Sequence, residues 1–358
     1  MKKYLSLITF AFLQLFAVQT TDMDSQGNDL SPGMRTFYDD TLIDIVGPKL
    51  VHDQDAVKKP IPANNGKKIQ FRGFNPLPKA LTALTEGVTP AGNSLDMFTI
   101  EATVAQYGDY ITTSDMLNLT HVDPIIAESL RLLGDQAGVT LDTISRNVLV
   151  GGTNVMYAPK INASTGAETE VTSRANLDLT AQLTVDLVDQ VVAELEAANV
   201  PKFDDGFYHA IIHPYTKYVI MKDEAWREPH KYVDTNAIYS GEIGEIGGVR
   251  FKISSEAKIW NDNTCPVKSA ASGSDPATYY AVFACLFYGK GAYATTEITG
   301  GGLQTIVKQL GSAGSADPLN QRSSTGWKAT KVTEILHPDY LIRVECCSAR
   351  KSAVAEAN

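Results

Sequence analysis

The sequence predicts an α+β fold, and three observations predict it. An apolar stripe at helical spacing runs from Ile126 to Val148, alternating strand patterns flank an over-long loop between 67 and 113, and strands and helices mix without a repeating order after Pro201. At 358 residues the chain exceeds an average domain, so one elaborate domain or two intertwined subdomains is expected. Hydrophobic residues at 44% and charged residues at 20% match globular averages, which excludes wholesale disorder and a polytopic membrane protein. A formal net charge of -10 opposes electrostatic gripping of a phosphate backbone, which needs clustered Lys and Arg. If the protein meets DNA, it contains it rather than grips it.

The first residues, Lys2 and Lys3 ahead of an apolar run from Tyr4 to Val18, have the layout of an export signal, but Gln14 interrupts the run and AVQTTD offers no small-x-small cleavage site. The run is also too short and broken to span a bilayer as a helix. Residues 19–35 are polar and read as an extended arm. From Met34 to Val46 the spacing predicts a short amphipathic helix that stops at Gly47 and Pro48.

KKIQFRGF at 67–74 is a strand, and MFTIEATVAQYGDYITTSD at 97–115 is its returning limb, with Phe98, Ile100, Ala102 and Val104 alternating with polar residues. The Pro- and Gly-containing loop between them, about twenty residues, exceeds ordinary hairpin connections and predicts a role outside the subunit's own core. Asp123 as N-cap, Pro124 at the first helical position and Gly151-Gly152 as stop signals frame the long helix. Its stripe of Ile126, Leu130, Leu133, Ala137, Leu141, Ile144 and Val148 covers about 28 residues, roughly 42 Å. Gly134 and Gly138 within it point to close backbone packing.

After a polar stretch at 160–176, Leu183, Leu187, Val191 and Leu195 mark a second helix starting near Thr180. FYHAIIHP is a strand, 215–227 a helix, EIGEIGGVRFKIS a glycine-punctuated strand region and YYAVFACLFYGKGAY a strand. LQTIVKQL, following Gly300 to Gly302, is expected to be a helix. WKATKVTEIL and YLIRVECCSA return the chain around the turn at His337-Pro338-Asp339. No repeat at solenoid or propeller period is present.

The residues offer little for catalysis. His209 and His213 have the four-residue spacing of zinc-binding histidines, but Ala210 stands where a zincin carries its Glu, and the segment has a strand's composition. The Gly300 to Gly302 run lacks the Lys-Ser/Thr of a phosphate cradle and reads as a turn. There is no G-x-S-x-G elbow. The adjacent acids Asp39-Asp40 and Asp204-Asp205 read as solvated turn residues, and Trp226 to Pro229 as a helix end. Cys265, Cys285, Cys346 and Cys347 lack zinc-site spacing and read as reduced, buried thiols. The sequons at Asn118 and Asn162 add little. No cofactor, metal or enzymatic activity is expected.

Four blocks carry a family resemblance: LVHDQ at 50–54 with IPANNGKKIQFRGFNPLPKALTALTEGVTP downstream, YGDYITTSD at 107–115, EIGEIGGVRF at 242–251 and DPLNQRSSTGWK at 317–328. Together they resemble the tailed-phage major capsid proteins grouped with that of coliphage N-four, which have the Hong Kong ninety-seven type fold. The resemblance covers about 30–348. LQLFA at 13–17 is similar to the opening of related capsid proteins from phages of gut bacteria, which gives the apolar start an explanation other than export.

The resemblance implies an arm at 1–66, an extended hairpin loop at 67–113, a peripheral domain with its spine helix at 114–179, an axial domain at 180–300 and a return to the peripheral domain with a tail at 301–358. It implies a structural subunit that assembles in the host cytoplasm into pentamers and hexamers of an icosahedral virion shell around double-stranded DNA. Scaffolding, portal and decoration proteins are the implied partners, without sequence-specific DNA binding and without a membrane. Arg72, Glu86, Arg322 and Lys328 are candidates for intersubunit polar contacts. The competing reading is an exported envelope or surface-layer protein.

Overall fold

The structure is a computed structural model and describes residues 51–84, 86–89, 92–120, 125–162, 164–226, 244–269, 277–312, 317–349 and 351–358. The apolar start, the arm at 19–35, the helix expected at 34–46, Asp39-Asp40, the caps Asp123 and Pro124, and Arg227 to Pro229 lie outside these residues. Of the described residues, 106–138 and 301–330 form one compact unit; 51–105, 139–300 and 331–358 form the other.

The larger unit is built on a mixed seven-stranded sheet. Its strands lie in the order Val155–Tyr157, Leu341–Cys346, Val282–Tyr288, Tyr208–Ile212, Val249–Ile253 and Glu245–Ile246, and Ile259–Trp260 also pairs with Val282–Tyr288. The two central strands, VFACLFY and YHAII, are continuous runs in which every residue is buried, the pattern of strands covered on both faces. The helix Val185–Ala197 packs Leu187, Val188, Val191 and Leu195 into this core, and its N-cap Thr184 accepts the Leu187 N–H. Gly247 and Gly248, both at positive φ, make the turn into Val249–Ile253.

A second strand group in the same unit places Val57–Lys58 parallel to Tyr293–Thr296, which in turn pairs antiparallel with 332–335. The hairpin of Lys68–Phe74 and Met97–Thr103 has its base fixed here, since Phe71 and Ala102 pack with Ala294. In the smaller unit, Gln304–Lys308 pairs antiparallel with 324–328 of the long strand Arg322–Ile335, and the strand Ala105–Ser114 pairs with that same long strand. Gly134, Gly138, Leu130, Leu133 and Ala137 are buried along the helix Ile125–Val150.

Several expectations need correction. LQTIVKQL forms the strand Gln304–Lys308 rather than a helix, because Thr305, Ile306 and Val307 suit a sheet and find a ladder partner at 325–327. The helix expected over 215–227 is interrupted: it starts one residue earlier and runs from Pro214 to Ile220, with His213 as its N-cap accepting the Tyr215 N–H, and helical backbone resumes at 224–226. The returning limb of the hairpin follows its partner only to Thr103; beyond the buried Val104 it pairs with the long strand Arg322–Ile335 instead. Along the second half of the spine helix, Ile144 and Val148 are half-buried, and Asp142, Ser145, Arg146 and Leu149 are buried in their place.

That polar helix face meets a strap at 51–55. Asp142 Oδ1 accepts both the Val51 and His52 N–H groups at 2.8 Å, and its Oδ2 pairs with His52 Nδ1 at 2.7 Å. Asp53 takes Ser145 Oγ at 2.6 Å, Thr295 Oγ1 at 3.2 Å and the buried ammonium of Lys331, which also donates to the Leu141 carbonyl. The strap therefore enters a core position through charge, with Val51 adding an apolar contact. Replacing Asp142 by Ala strands a buried imidazole and two N–H groups. A loss of about 3–5 kcal/mol is expected, read as a lower urea midpoint with unchanged slope.

Candidate functional site

Three features outside the apolar core carry organised chemistry or exposed apolar surface: the end of the strap, the hairpin, and a trough on the smaller unit. The strap ends at Asp55, whose carboxylate takes Lys252 Nζ at 2.7 and 2.8 Å, His209 Nδ1 at 2.8 Å and the Tyr288 hydroxyl at 2.8 Å. Burial disfavours the Asp55 charge, but the bonds from His209, Lys252 and Tyr288 outweigh it and hold the carboxyl at about 2. His209 Nε2 lies 3.0 Å from Asp205, which also pairs with Arg250, and the ring stacks on Phe203 at 4.1 Å. Burial depresses His209, yet with a carboxylate at each ring nitrogen its pKa is raised.

His209 is thus a buttress between two acids, and Asp205, expected to be a solvated turn residue, is its partner. His213 caps a helix. Among the described residues no group of three or more His, Cys, Asp or Glu side chains is placed to hold a metal ion. All four cysteines are buried free thiols, with Cys285 and Cys346 sulfurs 3.8 Å apart on paired strands. Among the described residues no helix is long and apolar enough to cross a membrane.

The hairpin has an ordered base and an exposed tip. Gln70 Nε2 donates to Glu101 across the ladder, and Gly73 lies under the Phe98 ring, where a β-carbon would come within 2.4 Å of it. Asn75 closes the loop by donating its N–H to the Asp96 carbonyl. Beyond this closure Leu77, Leu81, Leu84, Val88 and Leu95 are exposed, Leu81 by 86% and Leu84 by 78%. A run of apolar side chains held in water marks an interaction surface.

The trough lies within the smaller unit and encloses about 330 Å³. Its floor is small because the central strand presents Ser324 and Gly326; Tyr110 stands on one side and Ile306 and Lys308 on the other. Glycine is required where the outer strands approach: a β-carbon on Gly108 would sit 2.5 Å from the Trp327 carbonyl oxygen, and one on Gly326 2.8 Å from that of Asp109. Below the sheet, Trp327 Nε1 donates to Gln136, whose amide donates to Asp109 at 2.6 Å. The blocks YGDYITTSD and DPLNQRSSTGWK meet here.

Of the four polar candidates, Arg72 and Glu86 belong to the larger unit and Arg322 and Lys328 to the smaller one. Arg72 is exposed on the first hairpin strand, donating to Gln70 at 3.1 Å, and Glu86 is exposed at the hairpin tip. Arg322 is exposed at the start of its strand, its N–H bonded to Asp317, and Lys328 is half-buried opposite Gln304. What the sequence reading missed is the strap's role: LVHDQ stood out only as part of a resemblance. Three ionisable residues within 52–55, in a segment without turn glycines, were the available signal.

The sequence model of a family described as phage capsid protein matches residues 126–310. No curated protein matches the chain in sequence. Among solved structures, the capsid of cyanophage P-SCSP1u is similar at 14% identity and a TM-score of 0.57, covering 94% of this chain and 93% of that one. The cyanophage Pam1 capsid is similar at 14% identity and 0.56, covering 95% and 99%. The capsid of Ralstonia phage GP4 is similar at 14% and 0.57, covering 82% and 87%. At such identities these likenesses show a shared fold, the Hong Kong ninety-seven type.

The Asp55 cluster has a pH signature with two signs. Asp55, held at about 2 against an ordinary 3.8, contributes about 2 kcal/mol above pH 3.8 that is lost as pH falls toward 2. His209, raised above 6.5, contributes stability fully present below that pH and lost as pH rises through its folded value. Thermal melts of unassembled subunits should show both limbs. His209→Gln should remove the upper limb and shrink the lower one to what Lys252 and Tyr288 sustain, whereas Asp55→Asn should remove the lower limb and flatten the upper one, leaving what Asp205 sustains.

Proposed function

The chain belongs to the phage capsid protein family, and from that premise we propose that its copies form pentamers and hexamers of an icosahedral shell around packaged double-stranded DNA. It is a structural capsid protein, the subunit of a virion shell. The observation that carries the finer reading is the apolar hairpin tip, which leaves Leu81 and Leu84 in water on a base anchored beside Ala294. Single weak contacts suffice when a closed symmetric assembly repeats them many times.

In this reading the tip docks on a neighbouring copy and the trough around Gly326 is the receiving face. One charge supports the pairing: the trough carries Lys308, opposite in sign to Glu86 of the tip. Arg72 and Arg322 serve as rim contacts, and Lys328 flanks the trough floor. The arm at 1–66 is proposed to link neighbours through its early part, with 51–61 fixed in its own subunit. The remaining expected domains, the peripheral one around the spine helix and the axial one at 180–300, are proposed on the same footing. The net charge of -10 fits containment, since a cationic wall would bind the genome and impede packing and release. Assembly in the host cytoplasm, with scaffolding, portal and decoration proteins, belongs to the same proposal, and the family match favours it over an exported surface protein.

Electron microscopy of the expressed protein, alone and with its neighbouring structural genes, tests this. Uniform shells or tubes are expected, and persistent monomers under all assembly conditions would overturn it. Leu84→Asp, at a site exposed in the subunit, should abolish shells while leaving the subunit's melting temperature within about 2 °C of wild type.

A further inference from the structure

The hairpin tip has a sequence pattern that its conformation in the single subunit does not use. Leu81 and Leu84, three apart, share one side of a helix at 100° per residue, and Leu77 and Val88 flank them at steps of four. Lys79, Thr82, Ala83 and Glu86 fall on the opposite side. Pro78 stands where a helix accepts proline, at its first position, and Gly87, at φ 74°, stands where a helix ends in the left-handed region. Yet the described tip residues form turns, bends and irregular backbone, with Leu77, Leu81, Leu84 and Val88 exposed.

Helix thermodynamics accounts for the mismatch. A helix of two to three turns is marginal in water without a surface to cover its apolar face. An extended tip, by contrast, cannot bury the pattern on one partner: at a period of two, Leu77 and Leu81 point to one face and Leu84 and Val88 to the other. We infer, on the docking reading above, that the tip carrying these four residues folds into an amphipathic helix as it docks on a second copy of the chain. Segments that order on binding spend part of the contact energy on ordering, so the docked state is reversible until the shell closes.

The discriminating substitutions leave the apolar face intact. Ala83→Gly lowers helix propensity on the solvent side and should weaken docking about five-fold per tip, raising the protein concentration needed for shell formation by at least that factor. Thr82→Ala should lower that concentration, because Ala is the stronger helix former. Hydrogen exchange at the amides of Leu81 and Leu84 should be slow in shells and fast in free subunits. If Leu84→Asp blocks assembly but Ala83→Gly and Thr82→Ala leave it unchanged, the tip docks without becoming a helix and the inference falls while the docking reading stands. If Leu84→Asp assembles like wild type, the docking reading falls and the inference with it.

Discussion

The larger unit depends on a strap whose charges point inward. Over 52–55 the chain places an imidazole and two carboxylates against Asp142, Lys331, Lys252 and His209, and Tyr293 donates to the His52 carbonyl at 2.6 Å. Each buried charge is expensive alone and tolerable only with its full set of partners. The partners come from the spine helix, the central sheet, the 293–296 strand and the long C-terminal strand, so the strap seats only when all four are in place. This makes it a check on the completed larger unit. Buried polar pairing is directional and fixes one register, whereas apolar contact alone would tolerate a slip.

The strap's position determines where the hairpin begins. Immediately after Asp55 the chain pairs Val57 and Lys58 with Ala294 and Thr295, bridges Ile61 to Ile298 and enters the hairpin at Lys68. A charge network at 52–55 thus sets the root of an exposed loop beyond Asn75. On the proposed docking, a fixed root with an irregular tip suits a subunit that meets neighbours in slightly different settings, because the root defines direction and the tip absorbs the variation. Glycine has the same kind of consequence in the smaller unit. Gly108 and Gly326 let strands cross closely, and the trough exists because no side chains fill that floor.

Elements with a clean apolar period were legible in the sequence. The alternation at Phe98, Ile100, Ala102 and Val104, the buried run VFACLFY and the helix that starts after Thr184 follow directly from side-chain burial. LQTIVKQL misled because a short apolar run fits either period and only its ladder with 324–328 decides. The second half of the spine helix misled for a different reason. Apolar periodicity cannot register a buried face made of Asp142, Ser145 and Arg146, whose burial depends on partners about 90 residues away or more. The strap was invisible on the same ground: charged residues in a short segment read as solvent-facing until their counter-charges are located.

These two kinds of buried surface divide the labour of the subunit. Apolar burial in the seven-stranded sheet supplies stability that is non-directional and scales with the area removed from water. The strap's charges add specificity, and the Asp55–His209 pair ties the end of the strap to pH. The exposed leucines at the tip are apolar surface withheld from the first fold. A subunit that buried them internally would gain stability and, on the docking proposed for the tip, lose the means to bind its neighbours, so the least protein-like part of the surface is what the fold has to keep open.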